Sequence, residues 1–485
     1  MMLPVPGAQS TAAETPETGV SRCLLIGCDS FLSMPSTAPV SANNVQRTAR
    51  MMEACVPSLV SVRSSTEGPG SSEALRALIL EAFQGAGEED TSWLYLSTHG
   101  VTWTAEEELR MALLLSDGES EEALEAGALR AILDEVPGKK VLILDACHAG
   151  AMIGKGVSGT SRNAFAAPDY RVLVSCGGEE ESWMWSAAGD EHSGAGYFTA
   201  ALEAVLEDGR TDRNEDGVLS LGEICAALRR VHGASIAYCY PEEDAAPLMI
   251  PGKETDRALH GLTFEEQKAE EGSGVSVSFR FTVSEPARVY YRLAAFRDGV
   301  WNFAGAQKQP DRERTGSVRG LLAPGGKTRS VRLTTVGGAE SGWALLEILT
   351  VENGSLQLAG SRALYLPDPR KTPETVIVTA EAFTPGKGEE LQAEVRTDSP
   401  CSLTVWAADE GGNRLRQLTP QEIVCPRGAF LYWNGMLENG EPAPEGIYRM
   451  LVRTAAGEKT QEILSAPFRL IREEPENGKQ EKTPG

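Results

Sequence analysis

The stretch VLILDACHAG, Val141 to Gly150, runs four apolar residues into an acid, a cysteine and a histidine. A short apolar run bounded by polar residues reads as a strand covered on both faces. Comparable runs occur at RCLLIGC (22–28), LVSVRS (59–64), SWLYLSTHG (92–100) and YRVLVSC (170–176). Between them lie helical patterns, NNVQRTARMMEACV (43–56), SSEALRALILEAFQ (71–84) and ALRAILDEV (128–136), with GYFTAALEAVLEDG (196–209) after the last. MALLLSDG (111–118) reads as a short strand or hairpin arm. Strand and helix in alternation predict an α/β domain over 21–260, a mostly parallel sheet with helices on both faces. In such sheets the ligand site lies beyond the carboxyl ends of the strands, where Cys147 and His99 both fall.

The 485 residues exceed one ordinary core, so several domains are expected. With 45 Lys and Arg against 69 Asp and Glu, the net charge of −24 repels phosphate backbones and argues against nucleic acid. Basic partners suit it better. No apolar run is long enough to span a membrane, and the start, MMLPVPGAQSTAAETPETG, lacks the pattern of a signal peptide. A cytoplasmic protein is therefore expected. Nine cysteines without CxxC pairs favour reduced thiols over disulfides or structural zinc.

After about residue 265 the pattern changes. GVSVSFRFTV (274–283), ARVYYRLAAF (287–296), KTRSVRLTTV (327–336) and GWALLEILTV (342–351) alternate apolar and polar residues, as an antiparallel sandwich over 273–366 would. PDPRKTPE (367–374) reads as a linker, and a second all-β unit over 373–472 follows. The ends, 1–20 and 473–485, are polar tails expected to be disordered.

A cysteine nucleophile attacks as the thiolate, so it needs a base in reach and donors for the oxyanion that forms on the substrate carbonyl. His99 in YLSTHG is the best base for Cys147. His148 is adjacent, but neighbours on an extended segment point to opposite faces, which sets it badly for that proton. Cys176, at another strand end, reads as core or pocket wall. Taken alone, Cys147 could equally be a small buried thiol.

STHG after one apolar strand and DACHAG after the next resemble the histidine and cysteine motifs of the caspase and metacaspase superfamily, whose His stands about 50 positions upstream of its Cys. GYFTAALEAVL resembles the helix that follows in bacterial members, and the resemblance covers about 21–255. It implies a cysteine endopeptidase with Cys147 as nucleophile, His99 as general base and then acid, and the amides of Gly100 and Cys147 holding the oxyanion. Where caspases carry Gln, two residues before the nucleophile, stands Asp145, as in metacaspases. With Ser97 it implies a pocket for Arg or Lys before the scissile bond, since Arg can bind a carboxylate through two hydrogen bonds. Asn44 stands where metacaspases carry an acid, which makes the pocket less negative. Caspase-like enzymes often cut their own loop after the nucleophile strand; here the loop 151–169 offers Lys155 and Arg162. The rival readings are an idle caspase-fold scaffold and, ranked last, a transglutaminase-like acyl enzyme.

DRNEDGVLSLGE, Asp212 to Glu223, fits the calcium-loop pattern at each ligand position. Asp212, Asn214, Asp216, Ser220 and Glu223 supply side-chain oxygens, Val218 its carbonyl, and Gly217 the turn. The flanks read as helices, so an EF-hand binding Ca2+ is expected, and no organic cofactor. Finally, YWNGMLENGEPAPEGIYRMLV (432–452) resembles the Ig-like repeat of flagellar hook-capping proteins, which implies a sandwich that binds an unidentified protein partner or spaces the peptidase.

Overall fold

The computed structural model describes residues 19–105, 108–157, 163–185, 193–231, 234–252, 259–265, 268–270, 274–297, 300–302, 318–335, 342–352, 354–366, 372–385, 390–397, 401–419, 423–425, 429–456 and 459–472. The first domain is built from β1 (Ser21–Gly27), α1 (Val40–Cys55), β2 (Leu59–Ser65), α2 (Ser72–Ala82) and β3 (Thr91–Ser97). A meander follows, β4 (Gly100–Ala105), β5 (Glu108–Ser116) and β6 (Glu121–Glu125), then α3 (Ala126–Leu133), β7 (Lys139–Asp145) and β8 (Tyr170–Val174). The remainder is β9 (Met184–Trp185), β10 (Ala195–Gly196), α4 (Tyr197–Glu207), β11 (Leu219–Ser220), α5 (Leu221–Val231), β12 (Tyr238–Tyr240) and β13 (Pro247–Met249).

The central sheet has the order β12-β8-β7-β3-β1-β2. All pairs are parallel except the edge strand β12, which runs antiparallel to β8. Alternate residues of each strand feed opposite cores. Leu24, Leu94 and Leu142 pack with Leu75 and Ile79 of α2 and Leu129 of α3. Cys23, Trp93 and Val141 face Val45 and Met52 of α1, Phe198 of α4 and Ile224 of α5. Two buried faces explain why the strands read as unbroken apolar runs. Helix α2 starts at Ser71, whose hydroxyl accepts from the Ala74 amide at 3.2 Å. The N-terminus of α1 is capped from a distance: Asp29, on the loop after β1, accepts from the amides of Ser41 and Ala42, both at 2.9 Å. That contact fixes the loop which roofs the carboxyl ends of β1 and β3.

Beyond β13 the described residues are strands and turns. Strand Leu259–Phe264 pairs with Gly274–Val283, so this sheet draws in residues ahead of 273. It faces a second sheet across a core of Phe279, Phe281, Ile348 and Leu364. The middle unit is tied to the first domain through Glu347, fully buried, which accepts from Arg292 of its own sheet and from the Tyr197 hydroxyl of α4. The Arg47 side chain of α1 also donates to Glu203 at 2.7 Å and to the Leu358 carbonyl at 2.8 Å.

In the last unit, Trp433 packs against Phe383, Tyr448 and Phe468. Its indole N–H donates to the Met436 carbonyl at 2.8 Å, and Gly435 and Gly440 take positive φ of 75° and 78° in the turns of the YWNG…ENG stretch. The protein is thus a mixed α/β domain followed by β modules. No helix among the described residues is long and apolar enough to cross a membrane.

Candidate active site

Ser97 and Asp145 are register partners at the carboxyl ends of β3 and β7, and the Thr98 amide extends the ladder to the Asp145 carbonyl at 3.2 Å. Two residues past each partner come His99 and Cys147, both half-buried and both lining one small cleft. Gly100 closes the arrangement from the side. A Cβ on it would come within 1.8 Å of the Cys147 carbonyl oxygen, so no side chain is tolerated where β4 leaves the site.

The Cys147 thiol donates to the Ser182 carbonyl at 3.6 Å. Burial pushes its pKa up to about 11, and the neighbouring carboxylates Glu181 and Asp145 add to the rise, so at neutral pH it is a thiol. His99 lines the same cleft. Its Nε2 lies 2.9 Å from the Pro35 carbonyl, which can only accept, so Nε2 carries the proton and the neutral ring keeps its lone pair on Nδ1. The Phe31 ring packs edge-on at 4.5 Å and fixes the imidazole plane. Glu121 in turn accepts from the Leu32 amide at 2.7 Å and holds that loop.

Asp145 lies beneath the cleft, nearly fully buried. It accepts from the Ser182 hydroxyl at 2.8 Å, the Thr199 hydroxyl at 2.7 Å and Asn44 Nδ2 at 3.3 Å. Asn44 also donates to Ser97 Oγ at 3.2 Å and accepts the Gly196 amide at 2.8 Å. Burial raises the Asp145 pKa above its ordinary value, against the lowering by the hydroxyls of Thr199, Ser182 and Tyr95. Gly196 passes directly over it, where a Cβ would meet Asp145 Oδ2 at 2.6 Å. The cleft between Trp183, Met184, His99 and Cys147 has about 30 Å³, little more than one water occupies.

His148 is held away from this chemistry, though for a different reason than an extended backbone. It adopts the left-handed conformation with φ of 62°, its amide donates to the Glu180 carbonyl at 2.9 Å, and its Nδ1 lies 3.0 Å from the Gly178 carbonyl. Cys176 is buried, its thiol against the carbonyls of Ala146 and Glu180. Lys155 is also buried, and Arg162 lies outside the described residues.

The loop Asp212–Glu223 joins α4 to α5, with Gly217 at φ of 85°. Asp212 cups the amides of Asp216 and Gly217 at 3.2 and 2.8 Å, and Asp216 accepts from the Val218 amide at 2.9 Å. Both Glu223 oxygens are engaged, one by the Arg213 amide and the other by the amide and hydroxyl of Ser220. Burial opposes ionisation of Glu223, but these donors outweigh it and its pKa is lowered. Among the described residues no three His, Cys, Asp or Glu side chains converge closely enough to hold a metal ion. The carboxylates of Asp212, Asp216 and Glu223 thus accept from amides of their own loop.

His99 and Cys147 thus follow the ends of adjacent parallel strands, over the buried carboxylate of Asp145. Residues 20–232 match the family model of the caspase domain. No curated protein matches the chain. Solved structures similar to it include a protein of Geobacter sulfurreducens, 15% identical, covering 46% of this chain and 92% of that one with a TM-score of 0.33. Caspase-1 of Spodoptera frugiperda is 13% identical and covers 53% of this chain and 98% of its own, with a TM-score of 0.32. The matched residues 20–232 fall within the α/β half. Sequence reasoning missed Pro35, Ser182, Trp183, Met184, Thr199 and Gly196 in it.

Proposed function

We propose that the caspase-like domain is a cysteine endopeptidase that cleaves after Arg or Lys. The observation that carries this reading is the placement of His99 and Cys147 in one cleft, at matching positions beyond two register-paired strands, above buried Asp145. His99 Nδ1 takes the thiol proton as Cys147 attacks the scissile carbonyl. The Pro35 carbonyl steadies the imidazolium, which then protonates the leaving amine. The amides of Gly100 and Cys147 serve as oxyanion donors. Asp145 and Ser97 receive the guanidinium or ammonium, with Asn44 moderating the charge. Fluorogenic peptides ending in Arg, Lys, Asp or Gln test this: Arg and Lys are turned over, and a preference for Asp overturns the specificity.

A second reading, an idle caspase-fold scaffold, draws on the closed cleft of about 30 Å³ and the neutral Cys147 thiol. Opening of the Trp183–Met184 wall on substrate binding separates the two. Self-processing in the loop 151–169 falls to Arg162, because Lys155 is buried and ion-paired. For calcium, Asp212, Asn214, Asp216, the Val218 carbonyl, Ser220 and Glu223 would hold the ion once Glu223 releases the Arg213 and Ser220 amides. Its role would be to pin α4 to α5. The β modules suit contacts with protein partners, and a cytoplasmic setting suits the reduced thiols.

A further inference from the structure

The segment that follows the nucleophile, residues 150–157, is gripped from outside the caspase-like domain. Lys155 is 4% exposed and pairs with Glu242 of its own domain at 3.5 Å and with Glu390 of the last β module. Its ammonium lies 3.9 Å from the centroid of the Tyr432 ring. The Tyr432 hydroxyl accepts the Gly156 amide, and Gln392 Nε2 donates to the Gly154 carbonyl at 3.4 Å.

The opposite edge of the same segment leads to the active site. The amides of Gly178 and Glu179 donate to the carbonyls of Lys155 and Gly156, at 2.9 and 2.8 Å. The two backbones lie too close for side chains: a Cβ on Gly156 would meet the Gly177 Cα at 2.4 Å, and one on Gly178 would meet Val157 Cγ1 at 2.2 Å. The carbonyls of Gly178 and Glu180 then hold His148, the neighbour of Cys147. Two residues on, Ser182 caps Asp145 and takes the Cys147 thiol. Displacing Lys155 and Gly156 therefore moves the wall against which the nucleophile rests.

We propose that the last β module is an intramolecular brace for the active site: Glu390, Gln392 and Tyr432 hold residues 154–156, which position Cys147 through residues 176–182. Lys155, Glu390 and Tyr432 are positioning residues. The clasp is mainly polar, because a cavity of about 720 Å³ lined by Arg229, Tyr240, Glu242, Arg416 and Tyr432 separates the two units beside it. A buried ammonium between two carboxylates and over an aromatic face is sensitive to loss of either partner. The catalytic consequence rests on the peptidase reading above; the structural consequence does not.

The test compares full-length wild type with Lys155→Met, Tyr432→Phe and the conservative Lys155→Arg. Amide hydrogen exchange is followed by mass spectrometry, and turnover with a peptidyl-Arg substrate. In Lys155→Met and Tyr432→Phe the peptide covering 176–182 exchanges about tenfold faster while β1 and β3 keep their protection. Turnover falls about tenfold with KM within about twofold, and Lys155→Arg restores both. Unchanged exchange over 176–182 in both variants, or protection lost equally from β1 and β3, overturns the brace. A wild type that cleaves nothing refutes the peptidase reading, and exchange alone then decides for or against the brace.

Discussion

Ser97 and Asp145 are paired in register on the two central strands, and that pairing brings His99 and Cys147 to the same rim of the sheet. One slip in register would send one of the two side chains to the opposite face, because side chains alternate along a strand. The shared cleft is thus a property of the β3–β7 ladder, and the account depends on what the thiol and the imidazole do there.

With its pKa raised to about 11 by burial, Cys147 is protonated across the neutral range. Alkylation by iodoacetamide should therefore rise about tenfold per pH unit from 7 to 9, without levelling off. The check is the pH dependence of Cys147 modification, followed on its own peptide by mass spectrometry. A plateau below about pH 8 would mean a preformed thiolate–imidazolium pair instead.

The Asp145 carboxyl has its pKa raised in the folded protein, chiefly by burial. Its ionisation therefore works against the fold: the loss begins as pH rises through the unfolded value and is complete above the folded one. Asp145→Asn should leave the melting temperature at pH 7 equal or higher, yet lower kcat/KM for Arg peptides about tenfold to a hundredfold, as loss of a charge-assisted contact of about 1.5–3 kcal/mol implies. Calorimetry and kinetics on the same variant check the opposed signs.

Gly100→Ala places a methyl against the Cys147 carbonyl oxygen at 1.8 Å, a backbone contact that forces a shift. Overpacking of this kind costs about 1–3 kcal/mol, so a lower denaturation midpoint should accompany loss of turnover. Denaturant melts of the variant at constant slope measure it.

Calcium should stabilise the native protein by mass action, by about 2.7 kcal/mol at a hundred times the dissociation constant. Glu223→Gln, which removes the charge at the last position of the loop, should weaken binding at least about tenfold. Titration calorimetry with calcium measures both. Absence of heat at millimolar calcium removes the site.

The strands and the meeting of His99 and Cys147 in one cleft were legible because a strand buried on both faces leaves an unbroken apolar run, and a histidine or acid–cysteine pair at its end has little packing reason to be there. Pro35 was hidden because it acts through a carbonyl, which every residue possesses. Ser182 and Thr199 were hidden because a hydroxyl that caps Asp145 resembles any surface serine or threonine in sequence. The grip of Tyr432 and Glu390 on Lys155 joins residues more than 200 positions apart, and no local pattern reports such contacts. For the same reason Lys155 read as a cleavage candidate in the loop 151–169; Glu390 and Tyr432 of the last module complete the pairing that Glu242 begins.

The most direct test of the central claim is covalent labelling of the full-length protein by a peptidyl-arginine chloromethylketone, located by mass spectrometry. The account predicts stoichiometric modification of Cys147, abolished in Cys147→Ala, slowed at least about a hundredfold in His99→Ala, and absent with the corresponding aspartyl reagent. Failure to label Cys147, or equal labelling in His99→Ala, would contradict it.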